Sequence, residues 1–122
     1  MKIVKSAYVI LCLTLLAVIA NSTILNVLIS KTLQDVKSMP DSLTEESYSK
    51  CENLYNNFKK QEKYISLTVN HEDLTDVESS FAEMLGAIKA NDSESMLTIK
   101  SRLIDALEHL RRLSGINIDS IL

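Results

Sequence analysis

Between Lys5 and Lys31 the chain carries no charged residue, and the 23 positions from Ala7 to Ile29, AYVILCLTLLAVIANSTILNVLI, are apolar with few exceptions. As a helix this run reaches about 34 Å, enough to cross a hydrocarbon layer of about 30 Å. Three structures accommodate it: a membrane anchor, a cleaved secretion signal or a buried core helix. For a signal, Met1 to Lys5 supplies a positive start, Ala7 to Ile19 an apolar middle, and Val18 and Ala20 small residues ahead of a cut at Asn21. Against it, apolarity resumes as ILNVLI, so the cleaved product would begin with a greasy end. A core helix this long needs a core around it, and roughly ninety downstream residues supply one small core at most. An uncleaved signal-anchor is the favoured reading.

Lys2 and Lys5 lie on one side of the run, and Lys31 and Lys37, with Asp35 between them, on the other. Lysine and arginine counts are nearly tied, and the short positive tail tips the orientation toward amino terminus inside and domain outside a cytoplasmic membrane. All 16 acidic residues follow Ser30, with 11 of the 13 basic ones, so the downstream part is acidic and offers no basic nucleic-acid face. Cys12 sits in the apolar run and Cys51 stands alone downstream, which excludes a disulfide framework and a paired-cysteine zinc site.

The first helix is expected to continue through Leu33 and Val36 until Pro40 stops it. Ser42 with Glu45 reads as a capping box for a second helix over roughly Leu43 to Val69, with Tyr48, Cys51, Tyr55, Phe58, Ile65 and Val69 on its apolar side. Asn70 suits the cap of a third helix, whose Leu74, Val77, Phe81, Met84 and Ile88 recur at three-four spacing. Asp92 or Ser93 caps a fourth, with Met96, Ile99, Leu103, Ala106, Leu110 and Leu113 as a stripe that Leu97, Ile104 and Leu107 widen. Gly115 reads as its left-handed end, after which INIDSIL folds back on the bundle. The division is an anchor over 1–30, a helix extension and linker over 31–41, and a helical domain over 42–122. The fold class is all-α: one transmembrane helix followed by a small antiparallel hairpin or three-helix bundle. Lys50, Lys59, Lys60 and Lys63 on helix two oppose Glu72, Asp73, Asp76, Glu78 and Glu83 on helix three, suggesting that these two pair; a simply solvated face explains the charges equally well.

The single amino-terminal apolar segment, the stretch YISLTVNHEDLTDVESSFAEMLGAIKANDSESMLTIKSRLIDALEHL and the closing INIDSIL together resemble the bacterial domain of unknown function numbered 4363. The resemblance rests most on His71, Glu72, Asp73 and Asp76 at the third helix start and on the final Ile121 and Leu122. It implies a small protein of spore-forming Gram-positive bacteria, anchored in the cytoplasmic membrane, with YetF-like multispanning membrane proteins as neighbours. It implies no activity.

Candidate chemistry is sparse. His71 with Glu72 and Asp73, or Asp105 with His109 one turn apart, are ligand types, but two histidines make no convincing metal site, and a helix-start bond and an i,i+4 pair explain them. Cys51 with His71 as base is the one nucleophile arrangement, set against Cys51 filling an apolar stripe. No catalytic, cofactor or metal residue is assigned, and no enzyme activity is expected. Thr14, Ala17 and Asn21 share one face of the apolar helix, a small and polar strip of the kind that lets membrane helices approach. The alternative is that the polar patch lies among headgroups. Two classes of function follow: a membrane-anchored interaction or accessory module, partnered by another protein or by itself, or an extracytoplasmic protein holding a small ligand or metal between its helices. The first is favoured, because tightly patterned helices leave little room for a cavity.

Overall fold

The computed structural model describes residues 2–67 and 69–121, with side chains to residue 113. Four α-helices follow in order: α1 (Lys2–Lys37), α2 (Glu45–Ile65), α3 (His71–Lys89) and α4 (Ser93–Ile121). Contacts join α1 to α2, α2 to α3, α3 to α4 and α4 back to α1, the ring of an up-down-up-down bundle. The all-α expectation holds, and the second half of α1 supplies the fourth wall. Leu25, Ile29, Leu33 and Val36 of α1 join Cys51, Phe58, Leu74, Val77, Phe81, Met84, Leu103, Leu107 and Leu110 in one core. At its centre the Phe81 ring meets Tyr55 and Phe58 at centroid distances of 5.7 and 5.9 Å.

The antiparallel register gives the bundle two distinct ends. At one, Asn26 Nδ2 of α1 donates to the Arg111 carbonyl of α4 at 3.4 Å, and His109 of α4 meets Asp73 of α3 at 3.3 Å. This is the end from which the rest of α1 projects. At the other, the buried Lys100 of α4 donates from Nζ to the Met39 carbonyl at 2.7 Å and to Asp41 at 2.6 Å. That ammonium neutralises the negative end of α1 and holds the α1–α2 connection against α4.

Helix boundaries follow local chemistry, with three corrections to the sequence reading. First, α2 is capped by Thr44 rather than Ser42: the Ser47 amide donates to Thr44 Oγ1 at 3.2 Å, while the Ser42 hydroxyl meets the Ser47 hydroxyl. Lys100 grips Met39 and Asp41 just ahead of this cap, and the chain bends at Asp41 and Ser42 before α2 begins at Glu45. Second, α2 ends at Ile65, with Ser66 bonded back to Glu62, although Val69 beyond it is still buried. Third, α4 runs through Gly115 to Ile121, so the expected stop and fold-back are not taken. A helical glycine costs only about 1 kcal/mol relative to alanine, and no proline follows to enforce a break. The INIDSIL side chains and Leu122 lie outside the described residues.

The other boundaries agree with the sequence. Asn70 caps α3 by accepting from the Glu72 amide, and Asp92 caps α4 by accepting from the Ser95 amide at 3.1 Å. Between them Asn91 takes φ 58°, and the Asp92 and Asn91 amides return to the Ala87 and Ile88 carbonyls. That is a Schellman turn with asparagine where glycine is commoner.

Candidate functional site

Two regions carry the residues singled out from the sequence: the projecting half of α1 and the start of α3. From Lys2 to Ala17 every residue of α1 is exposed, and burial begins at Ser22. The stretch 2–21 is about 30 Å long as a helix and apolar throughout its middle, so α1 has the length and composition to span a membrane. Apolarity continues past it, but Leu25 and Ile29, at 0% and 1% exposure, face the other helices. The same chain of apolar residues therefore serves two environments, and the bundle takes its share from Ser22 onward, two turns before Ser30.

Of the strip on this helix, Thr14 and Ala17 are exposed and Asn21 is half-buried where α1 enters the bundle. Thr14 Oγ1 donates to the Ile10 carbonyl at 2.8 Å, and Thr23 Oγ1 to the Ile19 carbonyl at 2.9 Å. Each hydroxyl thus satisfies its donor within the helix and can lie in hydrocarbon without an outside partner. Asn26, which serves no purpose in a plain anchor, bonds to α4 and accepts from the Ser30 hydroxyl at 3.4 Å.

At the α3 start, His71, Glu72 and Asp76 are exposed, and Asp73 alone turns inward. The His71 carbonyl accepts from the Thr75 hydroxyl at 2.9 Å and the Asp76 carbonyl from Ser80 at 2.8 Å. Acidic side chains in a first turn interact favourably with the unpaired amides there. His109 Nε2 pairs with Asp73 across the α3–α4 seam rather than with Asp105 one turn away on its own helix. Among the described residues, no three histidine, cysteine or carboxylate groups converge as metal ligands.

The charge pairing expected between α2 and α3 is also redirected. The cross-helix pairs of α3 run to α4, Glu83 with Arg102 and Asp73 with His109. On α2, Lys50 pairs with Glu46 one turn back at 3.5 Å, and Lys59 Nζ lies 4.2 Å from the centre of the Tyr55 ring. At the α2–α3 seam two carboxylates meet instead: partial burial raises the Glu78 pKa above 4.5, and Glu62 raises it further through a hydrogen bond and its charge, while Lys59 and His71 oppose the shift. Across this seam Lys59 still attracts Glu78, while Lys50 settles for a partner on its own helix and Asp73 and Glu83 for partners on α4.

Cys51 is fully buried, and burial pushes its thiol up to about 11. A thiol that resists ionisation is a poor nucleophile. Its proposed base is also remote, since Cys51 lies near the far end of α2 and His71 opens α3 at the end where α1 projects. Lys100 escaped sequence reasoning, although a signal was present: it stands four residues after Met96 and three before Leu103, on the buried stripe.

The family model described as Domain of unknown function (DUF4363) matches residues 19–121. The match starts three residues before Ser22, so it takes in the packed part of all four helices and leaves out most of the projecting half. No curated protein and no solved structure matches the chain. A bundle walled by the second half of its own apolar helix, matched by that model over nearly its whole extent, belongs to the family of unknown function DUF4363.

Proposed function

We propose that the chain is a non-enzymatic, membrane-tethered interaction module, in which α1 crosses a cytoplasmic membrane with its amino terminus inside and holds the four-helix bundle at the outer surface. The observation that carries this reading is the division of α1: an exposed apolar half of membrane-spanning length, rigidly continuous with a half that is packed in the bundle. Buried, with its thiol held protonated, Cys51 offers no ready nucleophile, so the one covalent arrangement that the sequence suggested has no support. The ligand-holding alternative has less support, since among the described residues depressions between helices, such as the one of about 420 Å³ beside Leu43, Tyr48 and Ile88, open at the surface.

The partner-facing strip in the membrane is Thr14 and Ala17, with Asn21 at its lower edge. Small side chains there let a second helix, of another copy or of a multispanning protein, come close. Photoreactive residues at Thr14 and Ala17, compared with Leu15 and Ile19 on other faces, test this in membranes of the native host. Protein adducts at the first two positions and lipid adducts at the others are expected. Lipid adducts at all four reduce the helix to a tether.

A further inference from the structure

We infer that the end of the bundle from which α1 projects is itself a lipid-contact surface, with Tyr64 in the last turn of α2, Leu67 of the α2–α3 connection and Ile24 and Val27 of α1 resting in the interfacial layer of the bilayer that α1 crosses. The inference rests on the membrane-tethered reading and goes beyond it, because a tethered bundle could equally stand clear of the lipid. Leu67 is 80% exposed, Val27 61%, Ile24 48% and Tyr64 37%. Among the described residues, every exposed large hydrophobic side chain except Leu97 belongs either to the projecting half of α1 or to this end of the bundle. Scattered apolar residues are ordinary on a surface, but these four share one end.

The register fixes their depth. The Asn26–Arg111 and Asp73–His109 contacts bring the start of α3, and with it the end of α2, level with the middle of α1. Tyr64 and Leu67 therefore lie near the height of Ile24 and Val27. On the outward face of α1 the first charge after Lys5 is Lys31, one turn beyond Val27. From Ala7 to Val27 that face is about 31 Å of uncharged helix, the thickness of a hydrocarbon layer. If the layer extends to Val27 on the outward side, the inner side at the same height is already bundle, and the α2–α3 connection meets the headgroups. Tyrosine is favoured at that depth, where its ring is shielded and its hydroxyl stays wet. The occupant is lipid rather than a protein because α1 carries the span and the Ile24–Val27 half of the patch in one helix, and the end of α2 packs at the same height, so inserting the span delivers the patch. Exposed neighbours have both signs, Lys63 and Arg112 beside Glu72, and Arg112 is paired with Glu108, so apolar contact and not attraction to anionic lipid holds the surface.

The chain contains no tryptophan, so one introduced indole reports its own surroundings. Full-length Leu67→Trp is reconstituted in phosphatidylcholine vesicles whose acyl chains carry bromine near the headgroup, and its emission is compared with that in unbrominated lipid. Leu16→Trp serves as the span reference and Ala90→Trp, at the opposite end of the bundle, as the aqueous one. Emission from Leu67→Trp is expected to be blue-shifted and partly lost to bromine, with Ala90→Trp unaffected. Tyr64→Trp, closer in shape to the native ring, repeats the measurement should the leucine variant disturb its turn. A quenched Leu16→Trp with Tyr64→Trp and Leu67→Trp both unquenched overturns the inference and leaves the tether intact; an unquenched Leu16→Trp overturns the tether and the inference together. Quenching of Ala90→Trp equal to that of Leu67→Trp also overturns it, because the bundle then lies on its side. Substituting phosphatidylglycerol for part of the lipid should change nothing, and quenching that appears only with that anionic lipid refutes the apolar contact.

Discussion

Residues 2–21 and 22–37 of α1 form one uninterrupted helix, and both halves are rich in leucine, isoleucine and valine, yet only the second is buried. Their difference lies in arrangement. In the second half Leu25, Ile29, Leu33 and Val36 recur at three-four spacing on the inner side, while Lys31, Gln34 and Asp35 are exposed. In the first half apolar residues go all the way round, and between Leu11 and Ala17 no side is covered. A helix apolar on every face needs an apolar solvent; a helix apolar on one face needs only neighbours. Summed apolarity, which treats Ala7 to Ile29 as one object, cannot separate the two cases.

The largest effect should come from truncating residues on the two sides of that division. Phe81→Ala and Leu25→Ala are expected to destabilise the bundle by about 3–5 and 2–5 kcal/mol, the range for buried side chains whose cavities do not collapse. Leu13→Ala and Leu16→Ala should move it by under about 0.5 kcal/mol. Denaturation of the full-length protein in mild detergent, followed by circular dichroism, measures all four. A Leu16→Ala loss as large as that at Leu25 would break the comparison, because the projecting half would then be packed against something.

The two cysteines probe the same division without mutation. Cys12 is exposed on the projecting half and Cys51 is buried in the bundle. In vesicles, a membrane-impermeant maleimide should modify neither, for different reasons: lipid shields Cys12, whereas Cys51 is enclosed by protein and has a pKa near 11. At pH 8 a thiol with that pKa is ionised at about one part in a thousand, which slows it by on the order of a hundredfold relative to an ordinary cysteine. Denaturant that unfolds the bundle should release Cys51 alone. Release of both, read by mass, would place residue 12 outside the bilayer.

Much of the bundle was legible because period and caps agreed. Leu74, Val77, Phe81, Met84 and Ile88 are all buried as their spacing required, and Asn70 caps the helix they belong to. What could not be read were choices between partners of equal local merit. His109 has Asp105 one turn away and takes Asp73 on another helix; Asp73 and Glu83 of α3 had lysines of α2 in prospect and meet His109 and Arg102 of α4. Leu97, expected to widen the α4 stripe, is 46% exposed because the neighbours of α4 lie on the side of Leu103 and Leu107. Of the candidate site, the residue types at Thr14, Ala17, Asn21 and His71 to Asp76 were visible, but not that Asp73 alone among the acids turns inward. Lys100 was hidden for a related reason: one of its two acceptors is a backbone carbonyl 61 residues away, which no side-chain pattern announces.

Lys100 gives the next effect in size and tests how firmly the packed half of α1 is held. Its Nζ grips the last turn of α1 and Asp41 from inside the bundle. Lys100→Ala should cost about 1.5–3 kcal/mol, the worth of a charged hydrogen bond in a partly dry site. Asp41→Asn, on an exposed partner, should cost under about 1 kcal/mol. If both variants lose equally little in denaturant titrations, the connection is held by Met39 packing and not by the ammonium.

The smallest effect uses pH, and it again separates the two regions, because no carboxylate precedes Asp35 and any acid-range response must come from the bundle. Glu78 has its pKa raised by partial burial and by Glu62, so the folded protein holds that proton more tightly than the unfolded chain does. Its contribution to stability is therefore fully present below the unfolded value of 4.5 and is lost as pH rises through the folded value. Asp92 acts in the opposite sense: bonds from the Ser95 hydroxyl and amide lower its pKa, so its contribution is present above 3.8 and lost as pH falls through the folded value. Glu78→Gln removes the first response and keeps the second. At pH 7 it should raise stability by under about 1 kcal/mol, since the seam is partly solvated and the repulsion screened. The gain should vanish as pH falls below the unfolded value, where wild-type Glu78 is already neutral. Melting profiles of wild type and Glu78→Gln between pH 3 and 7 provide the measurement. Curves separated by a constant gap at every pH would mean that the amide improves packing instead, and that the meeting of Glu62 with Glu78 does not govern the seam.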